Sequence, residues 1–318
     1  MARFKIHHVT KYSYPNPVID SANQVILFPI QDDYQEVIKQ KLTITGDPIV
    51  ERYIDYYGNE VGLFMHAEPH RELLIDSRIE VITYSRQMPS DEMAKEDQWQ
   101  YLSSLKDELP FIDFFSVGRF DNMDEVGKLV ISYRKDSTPL EVCRMLNQYV
   151  CEHFNYITGV TSVETTLDEV WNLKAGVCQD FAHMLLVMIR MLGVPARYVS
   201  GYICPNKNGM RGEGATHAWV EAFIPNYGWL GLDPTNNCIT DDMHVRLATG
   251  RNFNDCSPVK GSYKGTSKHV LNVGVSVSYE DGHQHDDMST TLAPQPAINN
   301  ADNDVNSYRR YMEMMQQQ

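Results

Sequence analysis

Cys178, His217 and Asp233 follow one another along the sequence and have the residue types that thiol-based chemistry on a carbonyl requires. A thiol attacks as its thiolate, so it needs a base or ion-pair partner, and that partner needs a third group to orient it. A free cysteine, with a pKa of about 8.5, is mostly protonated at neutral pH, and the positive end of a helix dipole or a nearby imidazolium favours the reactive form. The run Gly176-Val177-Cys178-Gln179-Asp180-Phe181-Ala182-His183 reads as a tight turn that delivers the thiol to the first turn of a helix.

The elements around these residues are legible from periodicity. Phe181, Ala182, Leu185, Met188, Ile189 and Leu192 recur at helical intervals, which predicts a helix buried along one face and ended by Gly193-Val194-Pro195. Gly176 is expected to supply a turn conformation that other residues resist. Thr216 to Phe223 alternates as a strand with His217, Trp219 and Glu221 on one face, and Trp229 to Asp233 forms a second strand stopped by Pro234. Two adjacent antiparallel strands would bring the His217 ring and the Asp233 carboxylate within hydrogen-bonding reach.

Each residue also has a plainer reading. Lone cysteines are mostly small buried hydrophobes, and Asp233 before proline could serve only as a turn residue; the combination is what favours chemistry. Asp180 is expected to stabilise the first helical turn, and His183 to be a helix-face or core residue. The backbone amide of Cys178 is the first candidate for an oxyanion donor, with Gln179 and Trp171 as candidates for the second. Arg190 and Arg197 read as structural ion-pair partners, and Glu221 as either a cleft residue or a surface one.

Four ordered motifs resemble the core of the bacterial transglutaminase-like superfamily. They are Gly176 to His183, Arg190 to Tyr202, His217 to Glu221 and Gly228 to Asn236. The resemblance extends to a strand-rich N-terminal segment and to His244 to Asp255, covering roughly residues 1 to 280. It implies a papain-like α+β core, with a helix packed on an antiparallel sheet, preceded by an all-β sandwich domain. It also implies that Cys178 is the nucleophile, His217 the base and Asp233 the group that orients it, acting on amide bonds.

The rest of the chain divides by composition and periodicity. Residues 1–85 hold several β-rich runs separated by turns and read as an antiparallel sandwich. Residues 86–137 read as a partly helical bridge, 138–280 as the catalytic domain and 281–318 as a disordered polar tail. Thr138-Pro139 opens a helix, and residues 238 to 266 read as loop-rich. His7, His8, His66 and His70 are expected on strand faces or the surface.

A net charge of −14 over 318 residues with no basic run argues against nucleic acid or an anionic membrane as partner. No segment has the length of a signal peptide's apolar region or of a membrane span, which predicts a cytoplasmic protein. Six cysteines without a Cys-x-x-Cys pair argue against zinc binding through such pairs, and free thiols are expected. No cofactor or metal is expected, and no acidic loop has the spacing of a calcium cage. The expected partner is a peptide or protein substrate; the sequence does not give the oligomeric state. Three activities stay open: hydrolysis of amide or peptide bonds, which is favoured, acyl transfer to an amine, and a non-enzymatic binding module.

Overall fold

The computed structural model describes residues 1–204, 210–211, 216–279 and 293–294. The chain forms two compact units, one of residues 83–256 with Met1, the other of residues 2–82 together with the chain from Ser257 onward.

The second of these begins with β1 (Ala2–Val25), a strand of 24 residues. It continues through β2 (Gln35–Ile44), β3 (Glu51–Ile54), β4 (Glu60–His66) and β5 (His70–Thr83). Strand alternation is clearest in β5, where Leu73, Ile75, Ser77, Ile79 and Val81 are buried at every second position. The two ends of β1 serve different ladders: residues from Ser21 to Val25 pair with β4, whereas β5 joins β1 to β2. One strand thereby ties β2 through β5 into a single eight-stranded sheet.

The other unit holds the helices. After α1 (Lys95–Ser104), α2 (Ile112–Phe115) and α3 (Met123–Arg134) comes α4 (Pro139–His153), which opens on a capping box between Thr138 and Glu141, with proline at its first position. A short strand β6 (Asn155–Tyr156) and helix α5 (Leu167–Leu173) lead to β7 (Ala175–Gly176), which pairs in parallel with β6. Then comes α6 (Cys178–Met191). The expected one-sided burial of this helix is exceeded: from Asp180 to Arg190 every residue but His183 is buried. The reason is that α3, α4 and α5 pack on it as well as the sheet strands that follow.

Those strands are β8 (Ala196–Ile203), β9 (Thr216–Ile224), β10 (Gly228–Asp233), β11 (Cys238–Ile239) and β12 (His244–Gly250), antiparallel in the order β11-β10-β9-β8-β12. The region read as loop-rich therefore contains three strands, β11, β12 and a further one at Val259–Lys264, and also α7 (Phe253–Cys256). β12 is hard to read from the sequence because the alternation His244-Val245-Arg246-Leu247 breaks at a register shift between Arg246 and Ala248, and all seven residues are buried.

From Ser257 the chain rejoins the β unit with β13 (Val259–Lys264) and β14 (Val270–Tyr279). β13 pairs with Ile19 to Val25 of β1, and β14 with Phe4 to Ser13. The helical unit thus ends at Cys256, not at 280 as the sequence suggested, because β14 completes the N-terminal sheet. Residues 86–137 belong to the helical unit and are not a separate bridge. The tail from 281 onward lies outside the described residues, apart from 293–294.

Candidate active site

The turn before α6 places the thiol. Lys174 ends α5 in the left-handed region at φ 47°, and the chain then runs extended through β7 into α6. Gly176 is not the residue with the unusual backbone. A Cβ there would lie 2.4 Å from Asp180 Oδ2, so glycine is needed for close approach. That approach lets the buried Asp180 carboxylate accept from the Val177 amide at 2.8 Å and from the Thr161 hydroxyl at 2.6 Å. Burial holds the Asp180 carboxyl above its usual value, against the pull of those two bonds. The first-turn role expected of Asp180 is the one it occupies.

Cys178 is the first residue of the helix and is half-buried. The amides of Asp180 and Phe181 are both satisfied by the Val177 carbonyl. The Cys178 amide belongs to the helix-start set that intrahelical bonding leaves open.

His217 and Asp233 meet across the sheet. The β9–β10 ladder ends at Leu232 opposite Val220, which sets Asp233 diagonally from His217 on one face. His217 Nε2 lies 2.9 Å from Asp233 Oδ2, and neither side chain is exposed. The other ring nitrogen, Nδ1, is buried with no hydrogen-bond partner among the described residues, and the Cys178 side chain lies within range to act on the ring. Burial alone would lower the His217 pKa. The Asp233 carboxylate, through charge and hydrogen bond, and then Cys178 raise it to about 9. Asp233 is held well below the usual carboxylate range in spite of its burial, by His217 and then His244.

Asp233 is both a turn residue and a partner to histidine. Its Oδ1 accepts from the Thr235 amide at 2.9 Å and the Asn236 amide at 3.3 Å, and its Oδ2 accepts from Asn236 Nδ2 at 2.7 Å. A third neighbour was not foreseen. His244, fully buried at the start of β12, sets Nε2 3.4 Å from Asp233 Oδ2 and Nδ1 3.1 Å from Asp241 Oδ1. Burial opposes its charge, but bonds to Asp233, Asp241 and Cys238 raise its pKa well above the usual value. Trp219 lies edge-on to His244 with ring centroids 5.3 Å apart. A Cβ at Gly201 would come within 2.6 Å of the Trp219 ring, so a side chain there would occupy its place.

The remaining expected residues sort clearly. Trp171 is buried against Phe154 under the Lys174 ammonium, and Gln179 is half-buried one residue after the thiol. Tyr156, which sequence reading passed over, is the β6 residue paired with Gly176. Its phenol is pushed up to about 12 by burial and then by the nearby Cys178. Only the short Asn155-Tyr156 pairing reveals it. Glu221 is neither in a cleft nor on the surface: it is buried, 2.6 Å from Arg197 and 4.0 Å from Arg246. Arg190 donates to the carbonyls of Ala196, Ser116 and Arg251. His183 is partly buried, its pKa lowered to about 4 by desolvation and then Arg190, and it accepts the Phe253 amide. In the β unit, His8 and His70 are buried, and His70 stacks on His66 at 4.4 Å.

The sequence profile of the transglutaminase-like superfamily matches residues 128–234, and that of the bacterial transglutaminase-like N-terminal region matches residues 4–82. An uncharacterized protein of Mycobacterium leprae is 30% identical over 294 residues, spanning 87% of this chain and 99% of that protein. The chain belongs to the transglutaminase-like superfamily. A crystal structure from Cytophaga hutchinsonii, described as a candidate cysteine protease, superposes with a TM-score of 0.69 at 21% identity, covering 89% of this chain and 92% of that one. It shares the fold of this superfamily member. A protein-glutamine gamma-glutamyltransferase of Pseudomonas aeruginosa is 33% identical over 104 residues, which is 30% of this chain and 15% of that protein. Among the described residues, no helix is long and apolar enough to cross a membrane.

Proposed function

We propose that this protein is a thiol-dependent enzyme that hydrolyses amide or peptide bonds through a thioester on Cys178. The observation that carries the reading is the buried 2.9 Å bond between His217 and Asp233, on a ring that Cys178 acts on from the first turn of α6. In this scheme the Cys178 thiolate attacks the carbonyl carbon, and the developing oxyanion meets the Cys178 amide. The C–N bond breaks as the His217 imidazolium protonates the leaving amine. Neutral His217 then takes a proton from water as the water attacks the thioester, restoring the thiol centre. Asp233 fixes the ring's orientation throughout. Tyr156, beside the cysteine turn, is a better placed second oxyanion donor than Trp171, whose ring is taken up by Phe154 and Lys174.

Acyl transfer is the second reading, supported by the partial similarity to the P. aeruginosa glutamyltransferase. An amine instead of water would then resolve the thioester. Incubation with a glutamine-containing peptide and a fluorescent amine separates the two. Released ammonia or cleaved peptide without amine incorporation is the expected result, and incorporation at an equal or greater rate would make the protein a transferase. A Cys178 no more reactive toward a thiol-directed electrophile than the other five cysteines would leave only the binding-module reading.

A further inference from the structure

We propose that Asp233, Cys238 and His244 form a binding site for a thiophilic divalent cation, zinc foremost, and that the bound ion draws the Asp233 carboxylate away from His217. The effect on His217 rests on the triad reading above; the metal site does not.

Backbone pairing builds the site. Asp233 and Cys238 are direct partners in the β10–β11 ladder, so their side chains rise from the same face of a tight hairpin. The hairpin turn is fixed by the bonds from Thr235 and Asn236 to Asp233. His244 enters from β12 with Nε2 3.4 Å from Asp233 Oδ2, and the Cys238 sulfur lies beside the same ring. One ligand atom from each of the three lies within 4.8 Å of the others. Zinc bonds of 2.0 to 2.3 Å in tetrahedral geometry separate ligand atoms by about 3.5 Å. A movement of about 1 Å, chiefly by the half-exposed Cys238, would complete the set.

The surroundings are those of a metal ligand set. The far nitrogen of His244 is held by Asp241 at 3.1 Å, the carboxylate support that metal-bound imidazoles characteristically have. Trp219 fixes the plane of the His244 ring from its edge. Sulfur, nitrogen and one carboxylate suit zinc and exclude calcium or magnesium as preferred ions. Three protein ligands leave a fourth position, and the exposure of Cys238 gives it a route to solvent. On binding, the ion replaces the thiol proton of Cys238 and the Nε2 proton of His244, and two anionic ligands offset its charge.

The consequence follows from one atom. Asp233 Oδ2 accepts the His217 bond and is also the oxygen nearest His244 Nε2. An ion there competes for the lone pairs that orient His217. Any thiol and imidazole in proximity attract zinc, so the Cys178 and His217 pair is the alternative location that an experiment has to separate.

Cobalt(II) reports the site by its thiolate charge-transfer and tetrahedral ligand-field absorption. Titration of the full chain should give one equivalent with these bands in the wild type and in Cys178→Ser, and none in Cys238→Ser, where zinc affinity should fall at least 100-fold. Should Cys238→Ser fail to fold, Cys238→Ala carries the same comparison. Absence of the bands from the wild type, or their loss in Cys178→Ser with retention in Cys238→Ser, would overturn the site. Zinc should also slow labelling of Cys178 by iodoacetamide at least tenfold in the wild type but not in Cys238→Ser; zinc bound without this effect would overturn the coupling. A metal-free protein with an unreactive Cys178 would sink the triad reading while leaving the cobalt result to stand or fall alone.

Discussion

His217 and Asp233 share a 2.9 Å hydrogen bond with both side chains shielded from solvent. Their protonation states are therefore tied to each other and to folding. His217 is raised from 6.5 to about 9. A raised histidine contributes stability that is fully present below its unfolded value and is lost as pH climbs through its folded value. The contribution, on the order of 3 kcal/mol at most, should be complete below about pH 6.5 and gone above about pH 9. Denaturant unfolding of wild type and His217→Ala across this range should show the stability gap closing. On the triad reading, turnover falls over the same alkaline limb, because the leaving amine loses its proton donor.

Asp233 is lowered, so its contribution runs the other way: present above the ordinary carboxylate range and lost only as pH falls well below it. Removing the carboxylate strands two buried histidines and releases the Thr235 and Asn236 amides. Asp233→Ala should cost about 3–5 kcal/mol, the typical effect of breaking a buried charge pair. Asp233→Asn keeps an acceptor for the turn, so it should cost less stability while still lowering kcat/KM. Equal stability loss in both variants would mean that the charge, not the turn, dominates.

The helix and the two strands that carry Cys178, His217 and Asp233 could be read from the sequence because each has a local signature. A 3.6-residue period, a capping threonine before proline and a strand halted by Pro234 need no tertiary information. His244 was hidden for the opposite reason: the alternation of β12 lasts only four residues before a register shift at Arg246/Ala248, and burial at every position gives its polar residues no surface face. Glu221 was misplaced because alternation tells which face a residue shares, not what covers that face; only the three-dimensional pairing reveals Arg197 and Arg246. The length of β1 was masked by Pro15 and Pro17. Both fall between the end of the β14 ladder at Ser13 and the start of the β13 ladder at Ile19, where a missing amide breaks neither.

Gly176 links packing to chemistry. An alanine methyl at this position meets the Asp180 carboxylate at 2.4 Å, and that carboxylate holds the Val177 amide one residue before Cys178. Gly176→Ala should displace the first turn of α6 and, since about 1 Å of misplacement can cost 100-fold, lower kcat/KM by ten- to a hundredfold. Folding should survive, because the helix beyond Asp180 is held by its own buried face. Wild-type labelling kinetics at Cys178 in this variant would show that the turn does not position the thiol.

Cys178 itself should separate the two properties completely. A half-buried thiol contributes little packing, so Cys178→Ala should change stability by less than about 1 kcal/mol and abolish turnover. Unfolding midpoint and single-turnover product formation, measured on the same preparation, check this together. A large stability loss would make the residue structural.

Glu221 tests the opposite case, a buried charge with no part in the chemistry. Its carboxylate is held below the ordinary value despite burial, first by Arg197 and then by Arg246. Glu221→Ala leaves both guanidinium groups without their shared carboxylate in a largely buried setting, which should destabilise the protein by about 3–5 kcal/mol. Replacing Glu221 and Arg197 together by apolar residues of similar volume should recover part of that loss, since a buried pair repays its own desolvation poorly. Below the unfolding transition, KM and the alkaline pH limb should match the wild type, because Glu221 engages the two arginines and not His217. A shift of that limb in Glu221→Ala would show that the ion pair reaches the His217 site through Trp219, the residue between them on β9.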